Sequence, residues 1–515
     1  VPEVYLAELL AALSLVSDLG MGQPMEHCLR QCLVASRLGD ELALDRADRD
    51  AVFYSGLMAW VGCHVDAYEQ TKWFGDEAAL KGGSRATDTK SNAADMAFTF
   101  RSIYPGAPFT TRARATLGFF AGGMKDATQM LANHARAVDD LAATLGLDDN
   151  IRKSIDQCFE RWDGRGPDGA KADEIAVTSR LVNLADVVVF FEQAGGIDAA
   201  TGVARERSGT QFDPAMVDVF CGKAEAIFAD IDATSTWDAV IQSEPSLKKP
   251  LTSEEFDNAL EAIADFADVK SPFTAGHSRG VADLAQAAAT TVGLTRDDAT
   301  NVRRAGLLHD LGRLGVPNSI WDKQGDLTLT ETERVRMHPY LTERTLASSP
   351  ALAPLGVIAI QHHERLDGSG YPRGLKGDAL SVSGRVLAAA DAYHAKIEPR
   401  PHRAAVKASE AAALLRAEVR DGRLDGEAVE AVLESAGHRT RRRPTTLGGL
   451  TPRELDVLRL LARGQATKEI AATLAITRKT ASNHVEHIYS KLGVSNRAMA
   501  TLFAAKHGLL DAEPE

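Results

Sequence analysis

QHHERLDGSG at 361–370 has an echo, QCFERWDGRG, at 157–166; the two share six of ten positions at an offset of 204. The pattern continues downstream of each copy. RLVNLADVVVFF from Arg180 matches RVLAAADAYHAK from Arg385, each with an aspartate six residues after its arginine. Two local matches in one order, at nearly one offset, point to an internal duplication of a unit of about 200 residues. Around them apolar residues recur at three- and four-residue spacing, as in Leu6, Leu9, Leu10 and Leu13 and in Leu284, Ala288 and Val292. That is the period of a helix with one buried face. Alternating β-branched runs are scarce, so the fold expected is all-α.

Two segments read as linkers. Gln242–Ser253 is polar and broken by Pro245 and Pro250, and 438–449 is basic and ends in two glycines. They divide the 515 residues into domains at 1–244 and 250–437, a basic linker at 438–449 and a module at 450–515. The net charge of −13 hides an asymmetry: Arg439–Glu515 carries thirteen Lys/Arg against seven Asp/Glu, +6, which leaves −19 on the rest. A basic tail on an acidic body suits a small module that meets a polyanion. The five cysteines form no CxxC pair, which speaks against a disulfide framework or a zinc ribbon. No membrane-spanning run and no secretory leader are visible, and the expectation is a cytoplasmic protein with no membrane partner.

Within 250–437, His309-Asp310 falls late in an apolar helical run, where an imidazole and a carboxylate are costly to bury unpaired. A metal compensates both, the carboxylate being able to bridge two ions. Adjacent His362 and His363 add imidazoles, and Asp391 a second carboxylate in an Ala-rich helical run. These residues, standing as HDLGRLGVP from His309 and HHERLDGSGYPRGL from His362, resemble the HD-GYP family of helical metal-dependent phosphohydrolases. The resemblance runs from His277 to about Arg403. It implies an HD-type helical fold and a metal set of His277, His309, Asp310, His338, His362, His363 and Asp391 holding two divalent ions, Fe or Mn. It also implies hydrolysis of cyclic di-GMP, with the cations acidifying a water and neutralising charge on an in-line phosphoryl transition state. Asp310 and Arg313 are the catalytic candidates; Gly370, Tyr371, Pro372 and Arg373 are the candidates for binding a nucleotide or other phosphate-containing ligand, with Gly368 helping the loop to turn.

The chain departs from that pattern at four places. Arg313 stands where the family has Lys, and Phe273 where trinuclear members have Glu, so two metals are the expected ceiling. The family's DxxD reads Asp391 to His394, and its RPYR reads Arg400-Pro401-His402-Arg403. In the first copy His27, His64, His134 and Asp186 sit at plausible corresponding positions. There HH is replaced by Cys158-Phe159, HD by His64-Val65 with Asp66 one residue late, and GYP by GPD at 166–168. The expectation is a degenerate copy without a binuclear centre, serving a structural or sensing role.

The last piece begins LTPRELDVLRLLARG, with a helix start at Thr451-Pro452-Arg453-Glu454 and Leu455, Leu458 and Leu461 on one face. A short helix around Ile470, Ala471 and Leu474 follows, then a tight turn at 475–477. The next helix starts at Thr477 or Arg478, with Ala481, Val485, Ile488 and Leu492 inward. Such a pair is helix-turn-helix geometry. Together with KEIA and KTASNHVEHIYSKLGVSNR, this stretch resembles the LuxR/GerE-type helix-turn-helix over about 65 residues. The resemblance implies a four-helix module that binds double-stranded DNA, and a final helix from Arg497 that pairs two modules, hence a homodimer. Lys468, Thr480, Asn483, His484, Lys491 and Arg497 match its DNA-facing positions, while Ser482 replaces a usual Lys, a loss that Arg478 and Lys479 partly offset.

The expected molecule is a transcriptional regulator with two tandem HD-GYP-like repeats and a DNA reader. Two other readings stay open: an active binuclear phosphodiesterase that also binds DNA, and a metal sensor.

Overall fold

The computed structural model describes residues 3–87, 92–120, 136–233, 235–245, 249–437, 450 and 452–510. His134, Thr451 and the basic segment 438–449 therefore lie outside the described residues. Helices are the only regular structure of more than isolated bridges among those described. The chain forms two compact units, 1–256 and 257–515, so the C-terminal module is part of the second unit.

The first unit contains α1 (Leu6–Gly20), α2 (His27–Glu41), α3 (Arg46–Met58), α4 (Glu77–Ala86), α5 (Asp149–Asp156), α6 (Val177–Glu206) and α7 (Pro214–Phe228). Its core is built by α2, α3, α6 and α7 around Val34, Leu38, Val52, Leu181, Val188, Phe212 and Phe220. Among the described residues α6 is the one helix long and apolar enough to cross a membrane. It is broken by non-helical backbone at Gly195 and Gly196, and residues of both its parts pack in that core.

The second unit contains α8 (Ser253–Asp268), α9 (His277–Thr291), α10 (Arg296–Leu308), α11 (His338–Leu346), α12 (Ala353–Ala359), α13 (Val382–Ile397), α14 (Ala408–Arg420) and α15 (Gly426–Ala436). Its core is Ala-rich, with Val281, Ala285, Ala288, Val302, Val386, Leu387, Val429 and Val432 from α9, α10, α13 and α15. The start of the pair α9–α10 repeats that of α2–α3 at a constant shift of 250 residues. Gly306 lies so close to α9 that a Cβ there would stand 2.7 Å from Ala282 Cα, and its counterpart Gly56 would place one 3.2 Å from Cys32 Cα. Both pairs of helices cross at a glycine because only a missing side chain admits that approach.

The duplication extends to a buried carboxylate that ties α1 to α2. Asp18 Oδ1 accepts from Cys28 N at 3.1 Å, and Asp268 Oδ2 from Ser278 N at 2.8 Å. Burial pushes the Asp18 carboxyl up to about 6, with His27 and the Cys28 amide acting against it. A raised folded value means that the native state holds this proton more tightly than the unfolded chain. The stabilisation is then full below pH about 4 and is lost as pH rises through 6. Asp18→Asn is expected to flatten the pH dependence of the first unit's unfolding between pH 4 and 7 by on the order of 2 kcal/mol. Denaturant titrations of the two proteins at both pH values check it; parallel curves contradict it.

The C-terminal module contains α16 (Pro452–Ala462), α17 (Thr467–Thr473), α18 (Arg478–Leu492) and α19 (Arg497–Lys506). Leu455, Leu458, Leu461, Ile470, Ala481 and Ile488 are buried in its core, as the spacing implies, and Val485 and Leu492 pack against them. Thr477 caps α18 by accepting from Thr480 N at 3.1 Å, and Ala475 takes the left-handed conformation that makes the turn.

Candidate metal centre

Four imidazoles of the second unit are oriented by the same device. Nδ1 of His309, His338 and His362 lies 2.6–2.7 Å from the carbonyl oxygens of Gly306, Val335 and Ala359, and Nδ1 of His277 lies 2.9 Å from Glu398 Oε2. A carbonyl or carboxylate oxygen can only accept, so each Nδ1 carries the proton and donates it. All four Nε2 atoms then converge on one point, around Asp310 and Asp391.

The carboxylates divide that convergence in two. Asp310 Oδ2 lies 3.6 Å from Nε2 of both His277 and His309, while its Oδ1 lies 3.2 Å from His338 Nε2 and 3.7 Å from His362 Nε2. Asp391 Oδ1 is 3.4 Å from His277 Nε2 and 3.9 Å from His309 Nε2, and its Oδ2 is 3.7 Å from His363 Nδ1. One carboxylate thus faces two sets of imidazoles, the arrangement of a ligand that bridges two cations. His309 Nε2 is buried with no hydrogen-bond partner, and His338 Nε2 stands 3.0 Å from His362 Nε2. Orphaned, converging lone pairs of this kind are what a divalent ion satisfies, and the donor set of nitrogen and oxygen suits Fe or Mn. The residues present fit the group, and all seven sequence-derived ligands are brought together.

The electrostatics agree. Burial holds His309 below the ordinary imidazole range and lowers His362 to about 3, helped by its His309 and His338 neighbours, so these rings stay neutral donors. Burial opposes ionisation of Asp310 and Asp391 as well. The histidines, with Arg313 for Asp310, outweigh it and keep both carboxyls well below their usual range. His277 is the exception: against burial, Glu398 and Asp391 push it up to about 10.

Arg313 Nη1 donates to Asp310 Oδ2 at 2.8 Å, and its guanidinium stacks 4.1 Å above the Trp321 ring. It is held on the Asp310 carboxylate, which makes it a positioning group for that side chain. Tyr371 stacks on His363 with ring centroids 4.7 Å apart, at the edge of the cage. The loop before it turns tightly, as expected: a Cβ at Gly370 would lie 2.4 Å from Arg365 N, and Gly368 has φ +79°. Arg373 directs its guanidinium to Glu343 at 2.6 Å.

Two residues that sequence reasoning missed hold this assembly. Glu364, buried inside the signature, accepts from Arg373 N and Leu375 N at 2.7 and 2.8 Å and pins the GYP loop. Glu398 orients His277 and is itself held by His394 Nδ1 at 2.9 Å and Arg400 Nη2 at 3.0 Å. The altered His394 thus serves the carboxylate behind a ligand, the kind of outer partner that sets a ligand's orientation and basicity.

In the first unit the register corrects one expectation. The shift of 250 places Ala59-Trp60, not His64-Val65, opposite His309-Asp310, and Asp66 has no part in the comparison. The 3-10 turn after each helix fixes the correspondence, with Gly62 matching Gly312. His27 and Asp186 do meet, at 3.0 Å. The cation beside them belongs to the protein: Arg85 Nε lies 2.9 and 2.8 Å from the Asp186 oxygens, with its guanidinium 4.4 Å over the Trp60 ring. Phe159, in the place of the second signature histidine, packs edge-on against Trp60 at 5.1 Å. Against burial, Arg85 and His27 keep the Asp186 carboxyl below its ordinary value. An internal guanidinium and two aromatic rings fill the position of the cage.

In the C-terminal module Lys468, Arg478, Lys479, Thr480, Asn483 and Lys491 are exposed, and Ser482, His484 and Arg497 half-buried. Two of these are engaged within the module: Lys491 Nζ bonds Glu454 at 2.6 Å, and Arg497 bonds the carbonyls of Gly464 and Gln465.

Residues 261–428 match the family described as HD domain, and 449–504 the family described as bacterial regulatory proteins, luxR family. The 3'3'-cGAMP-specific phosphodiesterase 3 of Vibrio cholerae is 31% identical over 415 residues, 80% of this chain and 90% of that protein. A cyclic di-GMP phosphodiesterase of Thermotoga maritima is 36% identical over 173 residues, 31% of this chain and 47% of its own length. A crystal structure of a cyclic GMP-AMP-specific phosphodiesterase of V. cholerae aligns with a TM-score of 0.59 at 27% identity, covering 85% of this chain and 99% of that one.

Proposed function

Because the chain belongs to the HD-GYP family of HD-domain proteins and ends in a LuxR-family DNA-binding domain, we propose that it is a DNA-binding transcriptional regulator whose second repeat is a metal-dependent phosphodiesterase site for a 3'3'-linked cyclic dinucleotide. The observation that carries the reading is the bridging geometry of Asp310 between two sets of Nε2 atoms. When bound, two divalent cations, Fe or Mn, supply an acidified water and counter-charge for the phosphoryl group. His277, His309 and Asp391 would hold one, His338, His362 and His363 would hold the other, and Asp310 would serve both. Arg313 keeps Asp310 aligned and adds positive charge where phosphate oxygens gather, a role that a permanently protonated guanidinium fills without acting as an acid. Tyr371 and Pro372 offer an apolar wall for a base. The first repeat, with Arg85 in its cage, is a metal-free structural lobe.

The test is turnover. Full-length protein loaded with Mn²⁺ is expected to convert 3'3'-cGAMP or cyclic di-GMP to a linear dinucleotide. Binding of either without conversion makes the second repeat a nucleotide sensor, the reading that the departures at Arg313 and His394 favour. Neither binding nor conversion overturns the proposed substrate class.

For the reader, the exposed start of α18 presents Arg478, Lys479 and Asn483 for the major groove, and a homodimer gives two such helices for one site. Lys479→Ala is expected to weaken binding to a duplex of about 30 base pairs and to reduce the slope of log affinity on log salt by about 1. Unchanged affinity and slope in a salt titration contradict that assignment.

A further inference from the structure

We infer that the DNA reader is latched onto the strap of the metal lobe that ends in His277, so that metal loading and reader docking stabilise each other. The inference rests on the metal reading of the cage. Helix α19 has Ala498, Met499, Ala500, Thr501, Leu502, Ala504 and Ala505 all buried, and at 100° per residue these positions surround the helix. Only Ala500 and Ala504 of that set belong to the module's own apolar core. The lobe meets the module at two places next to this helix, and one charge of the module is felt in the lobe. The Phe273 ring lies against Gly464, where a Cβ would stand 3.1 Å from it, and Leu510 lies equally close to Gly276. Asp265 feels the charge of Lys506.

Both strap residues are wired to the first metal ligand. Gly276 is the residue before His277 and caps α9 in the left-handed conformation. Arg400 donates Nη1 to the Phe273 carbonyl at 2.9 Å and Nη2 to Glu398, which orients His277. On the reader side Arg463 Nη2 bonds the Leu510 carbonyl at 3.1 Å, and Arg497 bonds the turn at 464–465, which joins the two contact points into one surface. A docked reader therefore holds the strap in the conformation that aims His277 at the cage, and a loaded cage holds the strap where the reader docks. Release frees the covered side of α19 while the α18 face is exposed in either state. Because linkage is reciprocal, a change in the reader must be felt as a change in metal affinity, and the reverse.

The test uses full-length, metal-stripped protein with Mn²⁺ as probe, comparing wild type with Phe273→Ser in the lobe and Lys506→Glu in the reader; neither residue is in the cage or among the DNA-facing set. Mn²⁺ affinity is expected to fall about fivefold or more in both variants. Amide exchange over 497–510 is expected to slow on Mn²⁺ addition in the wild type and to be faster in both variants. Equal Mn²⁺ affinities, with exchange over 497–510 unaffected by either substitution, overturn the latch while leaving the metal reading intact. If the wild type takes up no Mn²⁺, the metal reading and the linkage both fail; docking then stands if Phe273→Ser alone speeds exchange in the reader, and falls if it does not.

Discussion

Replacing Asp310 with Asn is expected to lower hydrolysis of a 3'3'-linked cyclic dinucleotide by about a thousandfold or more and to leave the helical fold in place. The reason lies in the two oxygens of this one side chain. Oδ2 faces His277 and His309 and Oδ1 faces His338 and His362, so each oxygen faces one pair of Nε2 atoms, whereas Asp391 reaches the second set through His363 alone. An amide keeps the shape, the Arg313 contact at one oxygen and the packing, but removes the charge and the second anionic oxygen that would serve two cations. Removal of a single well-placed donor from an active site costs about 10²–10³ in rate; losing the bridge affects both metals at once. Wild-type and variant turnover, each at saturating Mn²⁺, check it, with circular dichroism to show that both are folded. A variant within about tenfold of wild type means that Asp310 does not bridge, and the assignment of the cage falls with it.

Replacing Arg85 with Met is expected to destabilise the first unit by about 3–5 kcal/mol, the usual cost of leaving one member of a buried pair uncompensated. Asp186 is buried with His27 and Arg85 as its polar partners, and the Trp60 ring closes the other face of the guanidinium. For a unit of this size that corresponds to a fall in melting temperature of roughly 10 °C. The double change Arg85→Met/Asp186→Leu is expected to recover most of the loss, because a buried ion pair exchanged for apolar groups of similar volume is often neutral or better. Thermal unfolding of the three proteins checks it. If the single and double variants are equally unstable, Arg85 acts through packing on Trp60 and not as the counter-charge of a vacated cage.

The all-α fold, the duplication and the reader were legible because each is written in local sequence. The signature at 361–370 and its echo at 157–166 lie on short segments, and the capping and apolar spacing of 452–492 specify helices one turn at a time. The cluster of buried imidazoles and carboxylates was legible in part for a chemical reason: His309-Asp310 and Asp391 fall in or just after apolar runs where such groups are costly to bury unpaired, while His277 and His338 came from the family resemblance. What was not legible depends on contacts across the fold. Glu398 reaches His277 over 121 residues, and Arg85 reaches Asp186 over 101, and neither residue has a local pattern to betray it. The first copy was misread at HD because its histidine was sought by letter. The rhythm of the helices, a constant shift of 250 from His277 back to His27 and from Gly312 back to Gly62, places Ala59-Trp60 there, and that shift was available in the sequence. The latch at Phe273 and Gly276 has no signature, since its partners, Gly464 and Leu510, come from a module whose sequence speaks only of DNA.

The most direct measurement is the metal content of protein purified without oxygen, with wild type, Asp310→Ala and Arg85→Met/Asp186→Leu handled side by side. The account predicts about two Fe or Mn per chain in the wild type and in the first-unit double variant, and almost none in Asp310→Ala. A wild type without metal, or metal retained in Asp310→Ala but lost from the first-unit variant, contradicts it and moves the centre out of the second repeat.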